Sequence, residues 1–191
     1  MAGQESMIVP LHKPHAKEML FFLVSGIIVS IPLTVFINNY SGYLFFFLPS
    51  NYVGIFSVVI LAPLIEEFSK AYPLFYRHAE TERGIFTLGF LVGLGFGIVE
   101  FVEYVVFLQV PILVRLPAVF FHGCTTSIIA FGIAKKQPFG FYLIAVALHL
   151  SNNLLAVMGP VWVIGGPVII GLTYLFAWFL YSRTKQRMIP F

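Results

Sequence analysis

Residues 84–108 read GIFTLGFLVGLGFGIVEFVEYVVFL, an apolar run interrupted by two hydroxyls, Thr87 and Tyr104, by glycines and by two carboxylates, Glu100 and Glu103. About 20 mostly apolar residues suffice for a helix to cross a bilayer, so the run predicts a membrane-spanning helix. Its glycines recur at Gly89, Gly93 and Gly97, a small-residue ladder of the kind that lets a neighbouring helix approach closely. Glu100 is the discordant residue. An ionisable group in hydrocarbon costs ~2.5 kcal/mol or more, so it persists mainly where it does chemistry or moves charge. No basic residue on the same span can neutralise it.

Five further runs of spanning length lie on either side, near 19–38, 52–76, 114–134, 139–158 and 161–182. The chain therefore reads as all-α, a polytopic bundle of about six transmembrane helices forming one integral membrane domain over residues 1–191. The first run is too long for the core of a secretory signal and no small-x-small cleavage site follows, so it reads as a retained span. Tyr43–Leu48, closed by Pro49, reads as an interfacial or re-entrant piece, or as an early start to the second span. Composition agrees: 10% of the 191 residues are charged, against roughly 25% in a soluble domain. With the N-terminus inside, Lys13, Lys17, Lys70, Arg77, Arg83, Lys135, Lys136, Arg183, Lys185 and Arg187 fall on the cytoplasmic side, 10 of the 11 Lys and Arg, and only Arg115 falls outside. That bias predicts cytoplasmic N- and C-termini. A net charge of +3 scattered over loops argues for a lipid bilayer as partner and against nucleic acid. The one cysteine, Cys124, allows no intrachain disulfide and reads as a small buried hydrophobe.

Four spans carry an ionisable group near the middle: Glu66, Glu100, His122 and His149. At a rise of about 1.5 Å per residue, each lies within about 6 Å of its helix midpoint. A bundle can bury such groups together, facing inward. Glu66-Glu67-x-x-Lys70 follows Pro63 on the second span. Glu66 and Lys70 are spaced i,i+4 in the favourable order, with Glu67 about 100° around the helix. Two adjacent carboxylates rarely both ionise in a dry site, and a carboxylate poised to take a proton is what water activation needs. The plain alternative is a solvated acidic pair with Lys70 snorkelling to the headgroups. Glu100 requires a partner from another span, His122 or His149, whereas Glu103 reads as lying near the outer interface. His122 has Thr126 at i+4 on the same face; taken alone it reads as a core histidine bonded to a carbonyl. His149 and Asn153 share a face and can both donate to a developing oxyanion, or His149 can ligate a metal that Asn153 helps to orient. Gly165-Gly166-Pro167 predicts a kink or late start in the sixth helix. No aspartate exists to support an aspartyl intramembrane protease. Serine-elbow, His-Glu-x-x-His, phosphate-loop and dinucleotide patterns are also missing.

In order along the chain, Glu66-Glu67-x-x-Lys70, Phe96-x-x-x-Glu100, His122 and His149-x-x-x-Asn153 resemble the motifs of the PrsW family, glutamate-dependent intramembrane endopeptidases related to the CAAX prenyl endopeptidase (Abi) superfamily. The resemblance covers about residues 60–155, with Tyr104 and Thr126 also at family positions. Related enzymes carry His where this chain has Glu100, and family members often have Asn where it has Phe101. The resemblance implies hydrolysis of peptide bonds in a membrane-anchored protein or peptide, in a prokaryotic cell membrane. Glu66, Glu67, Glu100, His122, His149 and Asn153 would be catalytic, with Lys70 and Phe96 supporting them. No cofactor is favoured. A zinc ion on Glu66, Glu100, His122 and His149 is the alternative. Two other classes compete: a proton- or ion-coupled transporter lined by the same groups, which would more often show paired repeats, and a non-catalytic membrane scaffold, as the Aph subunit of gamma-secretase is in the same superfamily.

Overall fold

The computed structural model of the protein describes residues 13–45, 48–76 and 81–186. Among these there is no β-strand. Six helical segments long and apolar enough to cross a membrane run Ala16–Tyr40, Tyr52–Tyr76, Glu82–Phe107, Ile112–Ala134, Pro138–Val157 and Gly159–Arg183. The protein is thus an integral, multi-pass membrane protein. Large apolar side chains such as Leu113, Ile164 and Trp178 stand on the outside. On a soluble protein so much exposed apolar surface would be a liability; facing lipid it needs no cover. Arg77 and Arg187, read as cytoplasmic charges, and Phe46 and Phe47 of the interfacial or re-entrant piece lie outside the described residues. A short 3₁₀ turn, Gly42–Phe45, overlaps the start of Tyr43–Leu48, and a new helix starts at Ser50 behind Pro49.

The third helix is the hub, for a reason already visible in its glycines. A Cβ on Gly89 would stand 2.6 Å from the Ala130 Cβ, one on Gly93 would overlap the His122 carbonyl, and one on Gly97 would stand 2.9 Å from the Val119 Cα. All three neighbours belong to the fourth helix, so the ladder sets the backbone-to-backbone approach that carries His122 inward. A second face of the hub receives the first helix: Gly95 abuts the Leu23 carbonyl and Gly26 abuts the Val92 carbonyl.

Polar contacts define one end of the bundle. Arg83 N–H donates to the Lys185 carbonyl at 3.3 Å, Lys185 N–H donates to Glu82 Oε2 at 3.0 Å, and Lys135 pairs with Glu82 at 2.9 Å. Met19 of the first helix packs on the same side, against the cluster containing Ala71, Leu74 and Ala134. The start of the first helix and the end of the sixth, which are the described ends of the chain, therefore share one end of the bundle.

Three helices widen into π turns, at Gly26–Ser30, Ser57–Leu61 and Glu103–Phe107. The second has a visible cause. Pro63 has no N–H to give the carbonyl four residues back, and the helix relaxes just before it, which re-aims the Glu66-Glu67 pair. Of the two expectations for Gly165-Gly166-Pro167, the late start is overturned: the sixth helix runs from Trp162 and contains Pro167. A Cβ on Gly166 would lie 2.6 Å from the Trp162 indole nitrogen, so a larger residue there would displace the indole.

Candidate active site

Lys70 is fully buried, so neither solvation of the acidic pair nor snorkelling describes it. It also does not take the i,i+4 carboxylate that its spacing favours. Its Nζ donates to Glu67 Oε1 at 2.7 Å, to Thr125 Oγ1 at 3.4 Å and to His122 Nδ1 at 2.9 Å. An ammonium has three protons and no lone pair, so these contacts use it fully and fix the histidine as well. Nδ1 of His122 must accept, and its proton therefore sits on Nε2. That nitrogen faces Glu100 Oε2 at 2.5 Å. The Phe96 ring closes the group, its centroid 5.1 Å from Lys70 Nζ and 5.3 Å from the His122 ring.

The same logic orients His149. Its Nδ1 lies 2.8 Å from Glu67 Oε1, and a carboxylate only accepts, so Nδ1 carries the proton. Nε2 is left with a lone pair directed at Glu66 Oε2, 3.7 Å away. Phe121 holds both imidazoles edge-on, at 5.9 Å from His122 and 5.6 Å from His149.

Glu100 finds His122, as an unpaired carboxylate needs, and also a partner the sequence conceals. Arg115 Nη2 reaches Glu100 Oε2 at 2.7 Å, and the guanidinium lies 3.6 Å over the Tyr104 ring. Read as the one outer cation, Arg115 instead points into the bundle from the fourth helix. The available signal is its spacing from His122, seven residues on and on the same helix face. Phe121 carries no comparable signal among 22 phenylalanines.

These side chains surround a cavity of about 220 Å³ to which the second through sixth helices all contribute. Glu66, Glu100, His122, His149 and Asn153 line it together with Tyr104, Arg115 and Asn152; Glu67 and Lys70 lie behind the wall. Val58, Ala156 and Trp162 continue the lining towards the end of the bundle opposite both chain ends. Asn153 is partly committed, its Nδ2 donating at 3.0 Å to the carbonyl of Val58 in the π turn. Glu103 is exposed and does not line the cavity. Thr126 turns its hydroxyl back on the His122 carbonyl at 2.9 Å, and Thr125 faces the site instead.

One ligand atom each from Glu66, His122 and His149 lie within 4.8 Å of one another. Glu66 Oε2 is buried without a hydrogen-bond partner, and His149 Nε2 has its lone pair exposed to it. Glu66 and His149 thus each offer a free lone pair, with Glu67 orienting His149, whereas His122 has both ring nitrogens taken, by Lys70 and Glu100, and would have to give up its Nε2 proton to complete a three-ligand site. Glu100 falls outside this triad, contrary to the four-ligand expectation, because Arg115 and His122 already hold its carboxylate.

The sequence profile of a family described as PrsW family intramembrane metalloprotease matches residues 14–181. The match extends beyond the motif-bearing stretch to take in the first helix and nearly all of the sixth. No curated protein and no solved structure matches the chain.

Proposed function

The chain belongs to the PrsW family of intramembrane metalloproteases, and on that premise we propose that it hydrolyses peptide bonds of membrane-anchored proteins with Glu66 as the base that activates water. The observation carrying this reading is the pairing pattern of the buried charges. Lys70 is held by Glu67 and Arg115 by Glu100. Glu66 has no cation of its own, and its free oxygen faces the cavity beside the His149 lone pair. A water placed between them donates one proton to Glu66 and the other to His149. Its own lone pair then points into the cavity.

From that position the water oxygen attacks the peptide carbonyl carbon and Glu66 takes its proton. When the carbon–nitrogen bond breaks, Glu66 returns the proton to the leaving nitrogen, and water's second proton stays on the new carboxyl group, giving a carboxylic acid and an amine. His149 cannot serve the oxyanion through Nδ1, which is committed to Glu67. The charge falls instead to donors lining the cavity: Arg115, whose buried Nε–H has no partner, and the second amide proton of Asn153. Glu67 and Lys70 hold His149 and His122 in the required tautomers. Preorganised donors of this kind contribute most where water is excluded. Glu66 and His149 would hold a zinc ion, which supplies Lewis acidity when bound, and His122 would join them only by giving up the Nε2 proton it directs at Glu100.

The test is cleavage of a panel of membrane-anchored substrates by the wild type and by Glu66→Gln. Loss of a general base is expected to lower the rate by ~10²–10⁴-fold. Unchanged cleavage by Glu66→Gln would remove it from the chemistry. Metal analysis of the purified protein, with activity followed through chelation and zinc re-addition, separates the two hydrolytic variants. Stoichiometric zinc lost together with activity assigns the triad to a metal; full activity in metal-free protein assigns it to water alone.

A further inference from the structure

Apolar cavities open on the outer face of the bundle. Two of them, one around Phe86, Phe90 and Trp178 and one around Phe68, Phe75 and Phe139, share no residue with the active-site cavity. Another differs. It measures about 420 Å³, lies between the fourth and sixth helices, and shares Val114, Trp162 and Ile170 with the active-site cavity. The two spaces are therefore adjacent chambers with a common wall. The remaining lining includes Pro117, Gly171 and Tyr174. The one hydroxyl among them is removed from the space, because Tyr174 donates it to the Pro117 carbonyl at 2.5 Å. That bond also ties the two helices together at the chamber's edge. Gly171 enlarges the chamber: a Cβ added there meets nothing within 4 Å.

We propose that this chamber is a specificity subsite that receives a large apolar side chain, Leu, Met or Phe, of the substrate residue beside the scissile bond. The assignment rests on the hydrolytic reading above. A peptide carbonyl in the active-site cavity places a neighbouring side chain at the common wall, and the space beyond it is lined almost wholly by apolar atoms, with no charged side chain to pair a charged group. It also opens between two helices, the direction from which a membrane-embedded segment arrives. Gly171 then sets the size of residue accepted, without touching the reacting atoms.

The experiment is a cleavage-site profile. A peptide mixture from a total membrane-protein digest, in detergent micelles, is treated with wild type, Gly171→Ala, Gly171→Leu or Glu66→Gln, and the new termini are identified by mass spectrometry. The wild type is expected to favour Leu, Met and Phe at one position flanking the cut. Gly171→Leu is expected to lose those substrates by about tenfold or more, the range a hydrophobic pocket discriminates, while still cutting where Ala or Gly stands there. Gly171→Ala should fall between. Because the added side chain enters open space, a retained melting temperature in detergent shows the fold intact. Parallel profiles for wild type and Gly171→Leu would overturn the subsite and leave the chamber to lipid acyl chains. New termini that appear equally with Glu66→Gln would overturn the hydrolytic reading instead, and the subsite with it.

Discussion

At the scale of single residues, the site is organised by proton counting around Lys70. An ammonium buried among Glu67, His122 and Thr125 is tolerated because each of its protons has an acceptor. Removing one partner of a buried pair leaves the other charge uncompensated, at a cost of ~3–5 kcal/mol. Lys70→Met is expected to destabilise the detergent-solubilised protein by that order. Lys70→Met combined with Glu67→Gln should recover part of the loss, measured as the shift in thermal unfolding. Equal destabilisation by the single and double variants would mean that the pair is not the unit. Arg115 and Glu100 are open to the same treatment: a double-mutant cycle with Arg115→Gln and Glu100→Gln on peptide cleavage is expected to show about 0.5–3 kcal/mol of coupling. Depth along a helix can be counted from a sequence, and for that reason Glu66, Glu100, His122 and His149 could be placed at a common level. Rotation about the helix axis relative to neighbours cannot be counted in this way. It is why Lys70 takes Glu67 rather than Glu66, and why Arg115 points inward.

At the scale of helices, close approach and local unwinding do different jobs. The Gly89, Gly93 and Gly97 ladder brings the third helix against the fourth, and Gly93 meets the carbonyl of His122 itself. A methyl there forces the helices apart, and overpacking of this kind costs typically ~1–3 kcal/mol. Gly93→Ala is therefore expected to lower both the melting temperature and the cleavage rate. Gly140→Ala, where a Cβ meets nothing within 4 Å, is the control and is expected to be neutral or stabilising by about 0.5–1 kcal/mol. If both substitutions behave alike, helix propensity rather than the approach is what matters. The ladder and the spans are legible in the sequence because each is a repeat within one helix. The π turn at Ser57–Leu61 is not, although Pro63 hints at it. Pro63 costs the preceding turn a hydrogen-bond donor, but where the slack goes depends on Asn153 of another helix binding the Val58 carbonyl.

At the scale of the whole molecule, the bundle is polar along the membrane normal. Arg83, Lys135 and Lys185 gather at the end that holds both chain ends, whereas the active-site cavity continues past Val58, Ala156 and Trp162 towards the other end. An excess of Lys and Arg marks the cytoplasmic side. The cavity is accordingly expected to open on the opposite face of the membrane, so a substrate would present its scissile bond towards that leaflet. The sequence supplies the charge bias and hence an orientation, but not the side of the mouth, which emerges only when five helices are assembled. The prediction can be checked because the one native thiol, Cys124, is buried, so a Cys124→Ser background removes it with little surface change. Ala156→Cys in that background is expected to react with a membrane-impermeant maleimide added outside intact cells, and to resist the same reagent on inside-out vesicles. A cysteine placed at Lys136, beyond the end of the fourth helix, should show the reverse pattern. Labelling of Ala156→Cys only from the inside-out face would invert the orientation drawn from the basic residues. Labelling of both cysteines from one face would deny that the cavity and the chain ends lie at opposite ends of the bundle.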